Sequence, residues 1–108
     1  MSVEIKSTGE VLTAYLSGEL DHHTAALMRS KIDTAIELNM PTLVVLNFSG
    51  ITFMDSSGIG LIMGRYRILS KSGAKLHISG VTPQIYKVMK LAGLERLAVL
   101  DETSIVKR

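Results

Sequence analysis

Val3 and Ile5 alternate with Glu4 and Lys6, a period of two that predicts a short strand with one wet face. Gly9-Glu10 turns the chain. Leu12, Ala14 and Leu16 then alternate with Val11, Thr13 and Tyr15, so a second strand pairs back on the first as a hairpin and ends at Gly18. From Thr24 to Asn39 the period changes. Ala25, Met28, Ile32, Ala35 and Ile36 form a helical stripe, with Arg29, Lys31, Asp33 and Glu37 on the other side, and Asn39-Met40-Pro41 stops the helix. The run TLVVLNF, Thr42 to Phe48, is almost continuously apolar, which predicts a strand in the middle of a sheet and buried on both faces. Ser49-Gly50 breaks it, and Ile51 to Met54 leads onward.

Ile59, Ile62, Met63, Tyr66 and Leu69 form a second helical stripe, closed by Ser72-Gly73. Leu76 and Ile78 mark another strand. Thr82-Pro83 opens a third helix, with Thr as cap and Pro at the first helical position. Its stripe is Ile85, Val88, Met89 and Ala92, and Gly93 terminates it. Ala98 to Leu100 is read as a last short strand, followed by a short helix or a frayed tail. The pattern predicts an α/β fold: an N-terminal β-hairpin, then alternating helices and strands in a mixed, mostly parallel sheet with right-handed crossovers.

Composition narrows the class. A chain of 108 residues suits one domain, 1–108, and 46% hydrophobic with 20% charged residues is ordinary for a globular protein. Cysteine is absent, which removes disulfides, thiolate metal sites and cysteine nucleophiles. The first residues, Met-Ser-Val-Glu-Ile-Lys, lack the features of a secretory signal, and the longest uncharged run, Leu38 to Met54, is too broken for a membrane span. A cytoplasmic protein is expected, with no membrane partner. The net charge of +2 hides an asymmetry: residues 1–55 carry −4 and residues 56–108 carry +6. Arg65, Arg67, Lys71, Lys87 and Lys90 are read as the solvated faces of two helices. No basic cluster interleaves with aromatics, so no nucleic acid is expected.

The candidate chemistry lies in FMDSSGIG, Phe53 to Gly60, between the central strand and the second helix. Asp and Ser are strong N-cap residues, and the serines are expected to cap the second helix. Yet two serines and an aspartate exceed what one cap needs, and Gly58 and Gly60 clear space beside the hydroxyls. The carboxyl end of a parallel strand is also where open α/β folds place ligands. A hydrolase elbow needs a glycine two residues before its serine, and Met54 and Asp55 stand there instead. Phosphorylation is the better fit, because a phosphate at a helix N-terminus meets free amides and the positive end of the dipole. These considerations do not choose between Ser56 and Ser57.

Other motifs are weaker. Gly58, Gly60 and Gly64 miss the dinucleotide spacing by one residue, and Gly60 and Gly64 are read as allowing close helix packing. His22 and His23 lack metal-ligand spacing. Asp21 or Thr24 is expected to cap the first helix, and His77 to be packed or at the surface.

The segments GELDHHTA (Gly18 to Ala25) and FMDSSGIGLIMGRY (Phe53 to Tyr66) together resemble the anti-sigma factor antagonists of the STAS domain family, and the likeness extends to LAGLERL (Leu91 to Leu97). The resemblance implies a non-enzymatic protein without a cofactor or metal. It would bind an anti-sigma factor that is also an ATP-binding serine kinase, and so free a sigma factor. The kinase would phosphorylate the serine after the aspartate, Ser56, and a metal-dependent serine phosphatase would reset it. By position, the partner-binding surface would comprise Asp21, His22, Met54, Asp55, Ser56, Ser57, Gly58 and Gly60. The sequence DHH favours the sporulation type. A STAS-like module of a stress-response complex is the alternative, with a serine hydrolase behind it. A monomer is expected. The family often ends in a longer amphipathic helix than this sequence carries.

Overall fold

The computed structural model describes residues 2–97 and 99–106. Strands β1 (Ser2–Thr8) and β2 (Val11–Leu20) form the hairpin; α1 (His22–Asn39), β3 (Leu43–Met54), α2 (Ser56–Lys71), β4 (Lys75–Ser79) and α3 (Pro83–Leu91) follow. The sheet has the order β1-β2-β3-β4, with β1 antiparallel to β2 and the other pairs parallel. Both crossovers step the same way along the sheet. Right-handed connections therefore lay α1 and α2 on one face, side by side, with their N-termini at the carboxyl ends of β2 and β3.

That face holds the core. Leu12, Ala14 and Leu16 of β2, Val44, Leu46 and Phe48 of β3, and Leu76 and Ile78 of β4 are buried against Met28, Ile32, Ile62 and Leu69 of the helices. The alternate residues face outward: Val11 and Tyr15 are exposed, and Leu43, Val45 and Asn47 are half-buried. Strand β3 is thus central, as its apolar run predicts, but is fully buried on only one face.

Two glycines read as breaks lie inside strands. Strand β3 runs through Ser49-Gly50 to Met54, and an added Cβ on Gly50 would stand 2.8 Å from the Leu16 carbonyl oxygen and 2.9 Å from Ser17 Cβ. Gly50 lets β2 come close. Gly18, with φ +92°, sits where β2 shifts register against β3, and the strand continues to Leu20. These irregularities carry both strands to the same edge.

The α1 stripe packs as predicted, and the stripes of α2 and α3 differ from the predicted ones at single positions while Ile59, Tyr66 and Ile85 still pack against the core. On α2 the buried positions are Gly58, Leu61, Ile62, Arg65 and Leu69, while Met63 is exposed. Arg65 is no solvated residue: it is 4% exposed, and its Nε lies 2.8 Å from Oδ1 of Asp33 on α1. On α3, Met89 is buried but Val88 and Ala92 are exposed. Ala98 lies outside the described residues. Val99 and Leu100 form no strand, although the Val99 carbonyl accepts from the Ile78 N–H at 2.8 Å along the outer edge of β4. Beyond them, Glu102–Ser104 makes a 3-10 turn, and Ile105 forms a parallel bridge with Val81.

Candidate functional site

Leu20 and Met54 are register partners, so the residues that follow them, Asp21 and Asp55, leave the sheet edge side by side. The Asp55 N–H donates to the Leu20 carbonyl at 3.2 Å and ties the two exits together. Each aspartate then caps a helix.

Asp21 caps α1. Its Oδ1 accepts from the His23 and Thr24 amides at 2.9 and 3.0 Å, and its own N–H donates to Thr24 Oγ1 at 2.9 Å. Both expected candidates are therefore used, Asp21 as cap and Thr24 as the reciprocal member of a capping box. The Thr24 amide first, then the Thr24 hydroxyl and the His23 amide and charge, hold the Asp21 carboxyl below its ordinary value of 3.8, against a smaller desolvation effect.

Asp55 caps α2 through one bond, accepting the Ser57 N–H at 2.8 Å. The serines do not cap, which corrects the expectation from sequence. A carboxylate already fills that position, leaving Ser56 as the first helical residue and Ser57 as the second. Ser56 is exposed and Ser57 half-buried. Neither helix carries an acidic residue in its first turn, so two helix N-termini point their positive ends at this edge, offset only by their caps.

The glycines divide. Gly58 is buried, and an added Cβ would stand 2.4 Å from Met54 Cγ and 2.5 Å from Sδ. Gly58 admits the Met54 side chain and does not clear a path to another molecule. Gly60 is exposed with nothing within 4 Å of an added Cβ, and Gly64 likewise has open space. The reading of Gly60 and Gly64 as close-packing residues is thus overturned.

Between α1 and α2 runs a groove of about 420 Å³ that starts at Ser57 and His22. Gly60 and Gly64 form its floor, and Arg29, Arg65 and Arg67 line it. From sequence all three arginines read as solvated charges on helix faces, which holds for Arg29 and Arg67 but not for Arg65. For Arg65 a signal existed: it lies four residues from both Leu61 and Leu69, on the face that packs. Burial works against charge on both members of its pair, raising Asp33 and lowering Arg65 from their ordinary values, with each partner's charge opposing the shift. His22 and His23 are exposed and their ring centroids stand 6.2 Å apart; His77, on β4, is half-buried and pairs with Val45, well before Met54 along β3. Among the described residues no group of three His, Asp or Glu side chains is placed to hold a metal ion, and no helix is long and apolar enough to cross a membrane.

Residues 2–104 match the STAS domain family. The chain is 32% identical to an anti-sigma F factor antagonist of Paenibacillus polymyxa, over 97% of this chain and 90% of that protein. Its fold is similar to that of the anti-sigma factor antagonist SpoIIAA in its unphosphorylated form, with a TM-score of 0.78 and 36% identity over 89% of this chain and 84% of that one. It is also similar to the Bacillus cell fate determinant SpoIIAA in the phosphorylated form, with a TM-score of 0.71 and 36% identity over 89% and 87%. The fold is thus shared with these proteins, and this chain belongs to the STAS domain family, on the branch of the anti-sigma factor antagonists.

Proposed function

We propose that this chain is an anti-sigma factor antagonist switched off by phosphorylation of Ser56. Unphosphorylated, it binds an anti-sigma factor through the edge formed by Asp21, His22, Met54, Asp55, Ser56, Ser57 and Gly60, with Gly58 buried behind Met54 and seating it there, and the sigma factor is released. The observation that carries the reading is the position of Ser56: exposed, first in α2, and relieved of the capping role by Asp55. The named relatives supply the partner class, and the phosphorylated form of a relative supplies the modification.

In the switching step the Ser56 hydroxyl oxygen attacks the γ-phosphorus of an ATP held by the kinase activity of the partner. The Oγ–P bond forms, the bond from the γ-phosphorus to the bridging oxygen breaks, ADP leaves, and the hydroxyl proton passes to a base of the kinase. The product phosphate carries about −1.5 to −2 charges and lies at a helix N-terminus, where amides and dipole favour it. The fold therefore accepts the phosphate while a partner fitted to the neutral hydroxyl does not. Hydrolysis by a metal-dependent serine phosphatase restores the binding form. The protein itself acts as a cytoplasmic binding module over residues 1–108, without catalysis. Asp21 supports this over a hydrolase, because its carboxylate is committed to the α1 amides and orients no histidine.

Intact-mass and peptide mass spectrometry after incubation with the cognate anti-sigma factor and ATP tests the assignment. One phosphate, on Ser56, is expected. A phosphate on Ser57, or none while the kinase modifies a control antagonist, overturns it. Ser56→Ala is expected to bind and resist release, and Ser56→Asp to bind poorly.

A further inference from the structure

Among the described residues, no side chain fills the groove between α1 and α2. Its lining among the described residues holds Arg29, Arg65 and Arg67 and no carboxylate. Arg29 and Arg67 are exposed. Arg65 is the more telling member, because it is buried yet poorly bonded. Its Nε faces Asp33 Oδ1 at 2.8 Å out of line for a hydrogen bond, and its Nη1 reaches only the Leu61 carbonyl at 3.5 Å. A guanidinium has five N–H donors, so donor capacity is left on the wall of the groove.

The floor is built against the helix's own interest. Glycine inside a helix is unfavourable relative to alanine, and Gly60 and Gly64 stand four apart on one face of α2. Neither has a neighbour that a methyl group would strike. Among the described residues nothing requires these two positions to be bare, and the space in front of them is open to a molecule outside the chain.

We propose that the groove takes an acidic segment of the anti-sigma factor, lying along Gly60 and Gly64 with its carboxylates on Arg29, Arg65 and Arg67. The partner named here rests on the function proposed above; the groove and its charge do not. The arrangement also links groove to switch. Ser57 lines the mouth and Ser56 precedes it, so a phosphate on Ser56 places its negative charge at the entrance. It repels an incoming acidic segment and offsets the arginines that would hold it.

Two experiments separate this proposal from the reading beneath it. First, deca-glutamate is titrated into the ¹⁵N-labelled full chain at low salt. Shifts are expected at the Gly60 and Gly64 amides, weaker with added salt and lost in an Arg29→Gln/Arg67→Gln variant. Absence of shifts at these amides, or shifts unchanged in the variant, overturns the proposal whatever the function of the protein. Second, affinity for the anti-sigma factor is measured by calorimetry. Arg29→Glu/Arg67→Glu is expected to bind at least tenfold more weakly than wild type while melting at a similar temperature. Gly60→Ala and Gly64→Ala are expected to melt higher and bind more weakly. Wild-type affinity in the charge-reversed variant, with Ser56→Asp still unable to bind, overturns the groove and leaves the switch standing. Should wild type fail to bind the anti-sigma factor at all, the function is overturned, and the peptide titration still decides the groove.

Discussion

Asp21 and Asp55 start neighbouring helices from neighbouring strands, yet they close them differently. Asp21 accepts from two amides and receives Thr24 in return, a complete box. Asp55 accepts from one amide, and the residue in the place of Thr24 is Gly58, which has no side chain to give back. The reason is packing. Gly58 leaves room for the Met54 side chain, which occupies the space where a Cβ would project. The start of α1 is therefore closed by two reciprocal side chains, while at the start of α2 the Gly58 N–H turns to the Asp55 carbonyl at 3.0 Å and the exposed Ser56 hydroxyl stands unbonded at the first helical position. The two helices share a cap residue and a sheet edge, but one start is built for stability and the other for use.

The comparison depends first on the tie that keeps the helices together. Arg65 and Asp33 join α2 to α1 beneath the groove. Arg65→Ala leaves Asp33 without its counter-ion and removes a buried side chain. A loss of about 3 kcal/mol is expected, at the low end for a buried pair because Asp33 retains solvent contact. Arg65→Met, which keeps most of the volume, loses less. Urea denaturation of both variants measures this, and equal losses would mean that the charge facing Asp33, and not the buried volume, is what counts.

Next comes Gly58. Gly58→Ala drives a methyl group into Met54 and is expected to cost about 2 kcal/mol. Adding Met54→Ala recovers part of that loss, because the obstructing side chain is gone. No recovery in the double variant would break the explanation for the open start of α2.

The caps themselves follow. Asp55→Ala is expected to cost about 1 kcal/mol, and Asp21→Ala to cost more, since it opens a reciprocal box. Equal losses would erase the difference between the two starts. Acid sharpens the same contrast. The folded carboxyl of Asp21 lies below its ordinary value of 3.8, so its contribution is complete above that value and is lost as pH falls through the lower folded value. The stability gap between wild type and Asp21→Asn should therefore be wide at neutral pH and should close below about pH 3.8. A gap that stays constant down to pH 2 would refute the linkage.

Much of this was legible in the sequence, for physical reasons that can be named. The α1 stripe of Met28, Ile32 and Ala35 showed because a helix on a sheet must bury one face at a period of 3.6. The switch region showed because capping residues exceeded what one helix start requires. What did not show depends on contacts between elements distant in sequence. Gly50 and Gly18 read as breaks, since nothing local says that β2 and β3 approach closely enough to need them. Arg65 read as a surface charge, since its partner Asp33 is on another helix. The cap on α2 went to the serines, although Asp55 precedes them, because the chain alone does not give the backbone angles at the end of β3. Gly58 and Gly60 looked equivalent two residues apart. On a helix that spacing turns one inward and the other outward, and only the position of Met54 decides which.

That divergence of neighbouring glycines gives the smallest effect, opposite in sign to the others. An added Cβ on Gly60 or Gly64 meets nothing, so alanine there restores helix propensity without a clash. Each substitution is expected to stabilise the fold by about 0.5–1 kcal/mol, a rise that thermal unfolding resolves. Gly58→Ala, two residues earlier on the same helix, moves stability the other way. If Gly60→Ala and Gly64→Ala destabilised the free protein, the two positions would have to be held bare by contacts within the chain, and the groove would lose its claim to be kept open for a partner. If they stabilise it, the unmodified chain carries two bare positions that weaken its own helix in front of a cationic wall.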